Sequence, residues 1–237
     1  MRRPGRPVRI LAADTSTDIL TVGLCADGEL LAHTVTRCGR AHSERLLETT
    51  QWVLTEAGLT LTDLDALAIA HGPGSFTGLR IGVATWKGLA LGASKPLVAV
   101  PTLDAIARTA VGCVGPLCVA LDAKMGEVFG AWFDGSASGL ARTGPDRVCT
   151  MEALLEGAPA GAVYLGDGAT RYADAILTFD PTAWLLPETL AGPRAWAVAL
   201  EGQARLEAGA DGDPALVSPV YLRKSQAELN RERALQG

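Results

Sequence analysis

The chain has 237 residues, 48% of them hydrophobic, and a formal net charge of −5 at pH 7. That is ample core for one large or two small folded units, and the acidic balance excludes a protein that grips nucleic acid unaided, since phosphate-backbone binding rests on clustered Lys and Arg. Five cysteines, Cys25, Cys38, Cys113, Cys118 and Cys149, with no C-x-x-C pair, argue against a disulfide framework or zinc ribbon, and no apolar stretch nears the roughly twenty residues that span a bilayer.

In chain order, a basic segment from Met1 to Pro7 precedes an apolar run, Val8 to Ala13, that contains Arg9 and is too short for a secretory signal. Reduced thiols in a cytoplasm are the expectation. The run ends at Asp14-Thr15-Ser16-Thr17 and is followed by Leu20 to Cys25, the turn Asp27-Gly28 and Leu30 to Val35, the pattern of a three-stranded meander. Ser43 caps a predicted helix with Leu46, Leu47, Thr50, Val53, Leu54 and Ala57 on one side and Gly58 at its end. Thr62 caps a turn before Ala66 to His71, a strand apolar enough for burial on both faces.

A glycine-proline turn then feeds a helix, within His71 to Gly92, that is apolar nearly all round. At about 100° per residue, Arg80 and Lys87 make the polar stripe, while Gly78, Gly82, Thr85, Leu89 and Gly92 share the opposite side. One face is expected on the protein's own sheet. The small residues, four apart, are expected to admit a second helix, from this chain or a partner, so that Gly82→Arg should break a complex and spare the fold.

Leu97 to Val100 and a helix from Thr102 to about Val111 complete a βββαβαβα order. A similar pattern restarts with Leu117 to Ala123, a tight turn at Lys124-Met125-Gly126 and a return from Glu127 to Asp134. Asp14 and Asp122 thereby take matching places in two hairpins, a sign of duplication. Ala141 to Val148, a short helix near Met151 to Glu156, Ala162 to Leu165, the turn Gly166-Asp167-Gly168, a helix to about Leu177, a final helix from about Pro193 to Ala208 and a charged tail follow. The expectation is an α/β protein of two mixed-sheet halves, 1–112 and 113–237.

Catalytic signatures are missing from the pattern. After Gly72 the P-loop spacing meets Thr77 with no lysine, and a dinucleotide fingerprint fails because its third glycine comes one residue late. The three histidines, His33, His42 and His71, are never three or four residues apart, so no paired-histidine metal site is expected. His42 and Ser43 point apart on a helix start, and no G-x-S-x-G elbow exists. Asp14 and Asp122, at the two turns, are the better candidates for chemistry, and the G-x-G of Gly166 and Gly168 is a strand-to-helix turn that needs glycine for its backbone angles. Trp52 projects with Arg45 and Glu56 away from the apolar stripe of its helix, as an exposed anchor would.

Ala13-Asp14-Thr15-Ser16, the helix start from His42 to Leu47, the block from Gly72 to Gly82, the turn from Leu121 to Val128 and Pro219-Val220-Tyr221-Leu222-Arg223 together resemble the bacterial TsaB (YeaZ) family of tRNA threonylcarbamoyladenosine biosynthesis proteins. Glu48 and Trp86 depart from that pattern, where a proline and a small or polar residue are usual. The resemblance implies an actin-like, sugar-kinase and Hsp70-like ATPase fold of two duplicated halves. It implies a cytoplasmic, non-catalytic subunit without cofactor or metal that binds and activates the related transferase TsaD, is joined by the ATPase TsaE, forms a homodimer when alone, and meets tRNA through the complex. On that reading His42, Arg45, Trp52, Gly78, Gly82, Thr85, Trp86 and Leu89 form the partner interface, and Asp14, Asp122, Gly166 and Gly168 a vestigial nucleotide cleft. The basic tail residues Arg223, Lys224, Arg231 and Arg233 are further candidates for tRNA contact. An ATP-dependent kinase of the same fold is the alternative, ahead of a metallopeptidase.

Overall fold

Continuous apolar runs dictate a sheet that must be covered on both faces. β1 (Arg9–Asp14) and β2 (Ile19–Ala26) are buried almost throughout, whereas β3 (Glu29–Arg37) is a largely exposed edge. β1 pairs antiparallel with β2, and β2 with β3; β4 (Ala66–Ala70) joins β1 in parallel and β5 (Leu97–Val100) joins β4, giving the order β3-β2-β1-β4-β5. The structure, a computed structural model, describes residues 6–39, 41–136 and 139–223, so the tail residues Lys224, Arg231 and Arg233 lie outside the described residues.

The period of two along the strands sorts the core. Leu11, Ala13, Leu67 and Ile69 face α1 (His42–Glu56) and α2 (Phe76–Ala93), which bring Leu46, Val53, Leu54, Val83, Trp86 and Ala90 into one cluster. Ile10, Ala12, Ala68 and Val100 face the other way, with α3 (Thr102–Arg108) leading off from β5.

The second sheet repeats the first. β6 (Gly115–Lys124) and β7 (Glu127–Ser136) form an antiparallel hairpin, and β8 (Gly139–Arg142) and β9 (Arg147–Thr150) both pair with β7. After α4 (Met151–Leu155), β10 (Val163–Leu165) lies parallel to β6; after α5 (Asp167–Arg171) and α6 (Ala173–Phe179), β11 (Trp184–Leu185) lies parallel to β10. In both sheets the central strand carries its hairpin partner on one side and two parallel strands on the other. The expected run from Ala141 to Val148 is split around Gly144-Pro145, and the expected helix to Leu177 breaks at Tyr172.

Following α7 (Glu188–Ala191), α8 (Ala195–Glu207) returns to the first sheet, where Ala195, Val198 and Ala199 pack on Ile10, Ala12 and Ala68. The spatial grouping therefore departs from a single cut at 112/113. Asp104 of α3 receives hydrogen bonds from Arg142 of β8 and, at 2.8 Å, from Arg205 of α8, tying the halves at the rear. At the front, residues 214–223 form a strap. Lys87 Nζ holds the carbonyls of Ala215 and Val217, Val220 N–H donates to the His71 carbonyl at 2.7 Å, and Leu222 enters the second core.

His33 on β3 gives a pH prediction. Burial, with a smaller contribution from Arg194, lowers its pKa from 6.5 to about 4. Between about pH 6.5 and pH 4 the unfolded chain therefore binds the extra proton, and stability must fall as the pH is lowered through that window. Urea unfolding at pH 7, 5.5 and 4 should show this decline, with a shallower slope in His33→Gln.

Candidate functional site

Ser75 starts α2 by accepting the Gly78 N–H on its side chain at 3.3 Å, and Ser94 ends the helix in the left-handed conformation. Which way the helix faces is set by its glycines. A Cβ on Gly78 would stand 2.0 Å from the Thr15 carbonyl oxygen, and one on Gly82 would stand 2.2 Å from Thr15 Oγ1. Thr15 Oγ1 itself donates to the Gly78 carbonyl at 2.8 Å. The part of the expected stripe formed by Gly78 and Gly82 is thus used internally, to bring α2 onto the β1–β2 turn. Trp86 is fully buried in the first core and His42 is 4% exposed. Four of the eight expected interface residues, His42, Gly78, Gly82 and Trp86, therefore belong to the interior; Arg45 and Trp52 are exposed, and Thr85 and Leu89 are half-buried.

The open face of α2 lies on the opposite side and carries Thr77, Ala84, Gly88, Leu91 and Gly92, with Ile81 half-buried beside them. Nothing lies within 4 Å of a Cβ built on Gly88 or Gly92. Arg80 stands at the border, stacked on Phe76 with its guanidinium 4.0 Å from the ring centre and donating to Tyr221 Oη at 3.1 Å. α2 is thus flanked by the strap on one side and by α1 on the other. Between the helices runs a groove of about 430 Å³ lined by Leu47, Leu54, Leu59 and Leu89 among others. Leu47, expected in the core, is 57% exposed, and Leu91 62%. Trp52 is 49% exposed, but about 140° around α1 from Leu47 at helical spacing, so it does not line the groove. The helical pattern marks Ala84, Gly88 and Leu91 as uncharged, but Gly78 and Gly82 on the buried side carry the same small-residue spacing.

A cleft of about 620 Å³ opens between the two hairpin turns, where Ser16, Asp18, His42, Phe76, Thr77, Asp122, Lys124, Asp167, Tyr221 and Arg223 stand among its walls. Asp122 is tied into its own turn: it accepts the Lys124 N–H at 2.9 Å and Lys124 Nζ at 2.8 Å, and Arg171 approaches at 3.4 Å. Burial pushes its pKa up, but these partners outweigh that and hold the carboxyl below the usual range. Gly166 and Gly168 do not line the cleft. A Cβ on Gly166 would come 2.3 Å from the Ala120 carbonyl oxygen, and one on Gly168 2.8 Å from the Leu121 carbonyl carbon, so both serve the close approach of α5 to β6.

Asp14 differs from its counterpart. Its Oδ1 accepts the Ser16 N–H at 2.7 Å, while its Oδ2 is buried without a protein partner among the described residues. His42 Nε2 shares that condition. Burial raises the Asp14 pKa, against the hydrogen bonds from Ser16 and the charge of His42. No group of three His, Cys, Asp or Glu among the described residues is placed to hold a metal ion. No described helix is long and apolar enough to cross a membrane.

The family model of TsaD, the tRNA N6-adenosine threonylcarbamoyltransferase, matches residues 34–230. The tRNA threonylcarbamoyladenosine biosynthesis protein TsaB of Escherichia coli is 45% identical over 135 residues, which cover 56% of this chain and 58% of that protein. The chain thus spans little more than half the length of this relative. A solved structure described as YeaZ from Pseudomonas aeruginosa is 28% identical and superposes with a TM-score of 0.78, covering 91% of this chain and 100% of that one. The structure of the activator of the 2-hydroxyisocaproyl-CoA dehydratase from Clostridium difficile, with bound ADPNP, is 10% identical and reaches a TM-score of 0.54 over 85% of this chain and 96% of that one, a likeness of fold. The two-sheet, actin-like architecture is shared with that activator.

Proposed function

This chain belongs to the TsaB (YeaZ) family, within the reach of the TsaD family model, and from that premise we propose that it is a non-catalytic cytoplasmic subunit of the tRNA threonylcarbamoyladenosine machinery, which binds and activates TsaD. The single observation that carries the reading is the outer face of α2, where Thr77, Ala84, Gly88 and Leu91 present no charge to solvent over about four turns. A lone domain has no use for such a face, and its small side chains admit the backbone of a partner helix at close range. Thr85 and Leu89, with Leu47 across the groove, extend the contact towards α1, and Arg45 and Trp52 form its far border. The same face serves a homodimer when TsaD is absent, so the two assemblies exclude one another. TsaE joins the heterodimer, and tRNA is met through the complex.

Asp122, neutralised within its turn, and Gly166 and Gly168, spent on packing, support the view that the cleft no longer performs phosphoryl chemistry. The test is reconstitution. The chain, TsaD and TsaE from the same organism, given threonylcarbamoyl adenylate and tRNA, should modify tRNA at least about tenfold faster than TsaD and TsaE alone, within the ordinary range of coupling free energies. TsaD equally active without the chain would sink the reading. Magnesium-dependent nucleotide turnover by the isolated chain would replace it with the kinase alternative.

A further inference from the structure

A cavity of about 770 Å³ lies at the rear, where α3, β8 and α8 meet around the ties to Asp104. That volume falls among those of small-molecule sites, roughly 300–1,000 Å³. Val111, in the link between the halves, is 57% exposed, and Leu140, Trp196 and Leu200 are half-buried on the cavity wall. Trp196 packs on the first core and Leu140 on the second, so both halves contribute to one apolar wall.

Three arginines and two carboxylates share the lining, and they are unequally satisfied. Arg142 reaches Asp104 and Asp146, while Arg205 holds Asp104 at 2.8 Å and approaches Glu201 at 3.3 Å. The Arg108 guanidinium is left with a single hydrogen bond among the described residues, from Nη1 to Glu201 Oε2 at 3.4 Å. Charge-assisted pairs close to about 2.7–2.9 Å, and Glu201 is already shared with Arg205. Arg108 Nε is buried without a partner among the described residues, although the side chain as a whole is 33% exposed. A guanidinium presents its N–H donors in a planar fork, and the greater part of this fork has no acceptor among the described residues. A buried donor in that condition points to a partner that the chain itself does not supply.

We propose that Arg108 and the apolar wall of Val111, Leu140 and Trp196 bind a small monocarboxylate with a compact apolar body, aromatic or branched aliphatic. Arg108 takes the carboxylate in its fork, and the body leaves water against side chains of both halves. A single negative charge suits the site. Arg142 and Arg205 are engaged by Asp104, so a phosphate dianion has one free guanidinium to meet it. A zwitterion gains nothing from its ammonium group, because Asp104 and Glu201 already hold arginines. Occupancy joins α3, β8 and α8 across the seam. The inference does not rest on the subunit reading, since the isolated chain contains every group it needs.

The experiment is a nuclear magnetic resonance titration of the full chain with phenylpropionate and with isovalerate, against phenylpropanol as the uncharged counterpart and acetate as the bare carboxylate, each at constant ionic strength. Phenylpropionate or isovalerate should produce saturating shifts at the Trp196 indole N–H and at the Arg108 and Leu140 amides, and the tighter of the two identifies the body as aromatic or branched. The alcohol should bind at least about tenfold more weakly, and acetate should not saturate over the same range. Arg108→Gln should raise the dissociation constant about tenfold; Glu201 keeps its contact with Arg205, so no carboxylate is stranded. Val111→Asp, a like charge at an exposed position on the rim, should weaken binding similarly, while Arg147→Gln, exposed and outside the cavity, leaves it unchanged. Spectra of each variant establish that the fold is intact, and if one fails to fold the other decides. Non-saturating shifts with both carboxylates, equal affinity for the alcohol, or unaltered affinity in a folded Arg108→Gln or Val111→Asp protein would overturn the proposal.

Discussion

Gly82→Arg is expected to leave no folded protein to assay. A first side-chain carbon at that position falls 2.2 Å from Thr15 Oγ1 and 3.3 Å from Ile69 Cδ1, and the rest of an arginine would have to pass through the floor of α2. Overpacking a tight site costs about 1–3 kcal/mol for extra methylenes; a buried charge raises that further, against a typical total stability of about 5–15 kcal/mol. The variant should be insoluble or lack a cooperative urea transition. Gly78→Val should behave alike, because there the obstacle is the Thr15 carbonyl oxygen at 2.0 Å, which no rotamer can move. Gly82→Ala is the milder probe. Combined with Thr15→Ala it should show favourable coupling, since the double variant removes the hydroxyl that blocks the new methyl. A Gly82→Arg protein that melts like the wild type would mean that α2 does not rest on the β1–β2 turn.

Gly88→Arg, six residues further along the same helix, should do the reverse. Its Cβ meets nothing within 4 Å, and arginine is about 1 kcal/mol better than glycine inside a helix. The melting temperature should hold or rise slightly. Self-association, read by sedimentation velocity, and capture of TsaD should weaken by about a hundredfold, or roughly 2.7 kcal/mol, because a long cation replaces the point of closest approach. Trp52→Ala then measures how far the contact extends across α1, and a loss of about 2 kcal/mol would mark it as an anchor. Wild-type affinity in both variants would leave the outer face of α2 without a role.

Strands and hairpins were legible because burial on two faces writes continuous apolar runs: Val8 to Ala13 and Leu117 to Ala123 announced the two central strands, and their matching turns announced the repeat. The rotational setting of α2 was not legible. Gly78 and Gly82 on one side and Ala84 and Gly88 on the other are equally small, and what separates them is contact with Thr15, sixty or more residues away in sequence. Leu47 misled for a related reason, since it shares the apolar stripe of α1 but sits where the groove widens towards Leu59 and Leu89. Trp86 and His42 show the limit of family likeness alone: neither burial nor a missing hydrogen-bond partner can be read from a motif. Asp14 and Asp122 look alike in the sequence, and only their surroundings distinguish the satisfied turn residue from the one with a free oxygen.

The return of α8 to the first sheet bears on how the molecule is made. Ile10, Ala12 and Ala68 remain bare until Ala195, Val198 and Ala199 arrive, and domains generally fold as units in order of synthesis. Here the amino-terminal half cannot finish while the ribosome is still translating the other. The nascent chain must carry an uncovered apolar sheet until α8 has emerged, which makes this step the natural point for chaperone capture.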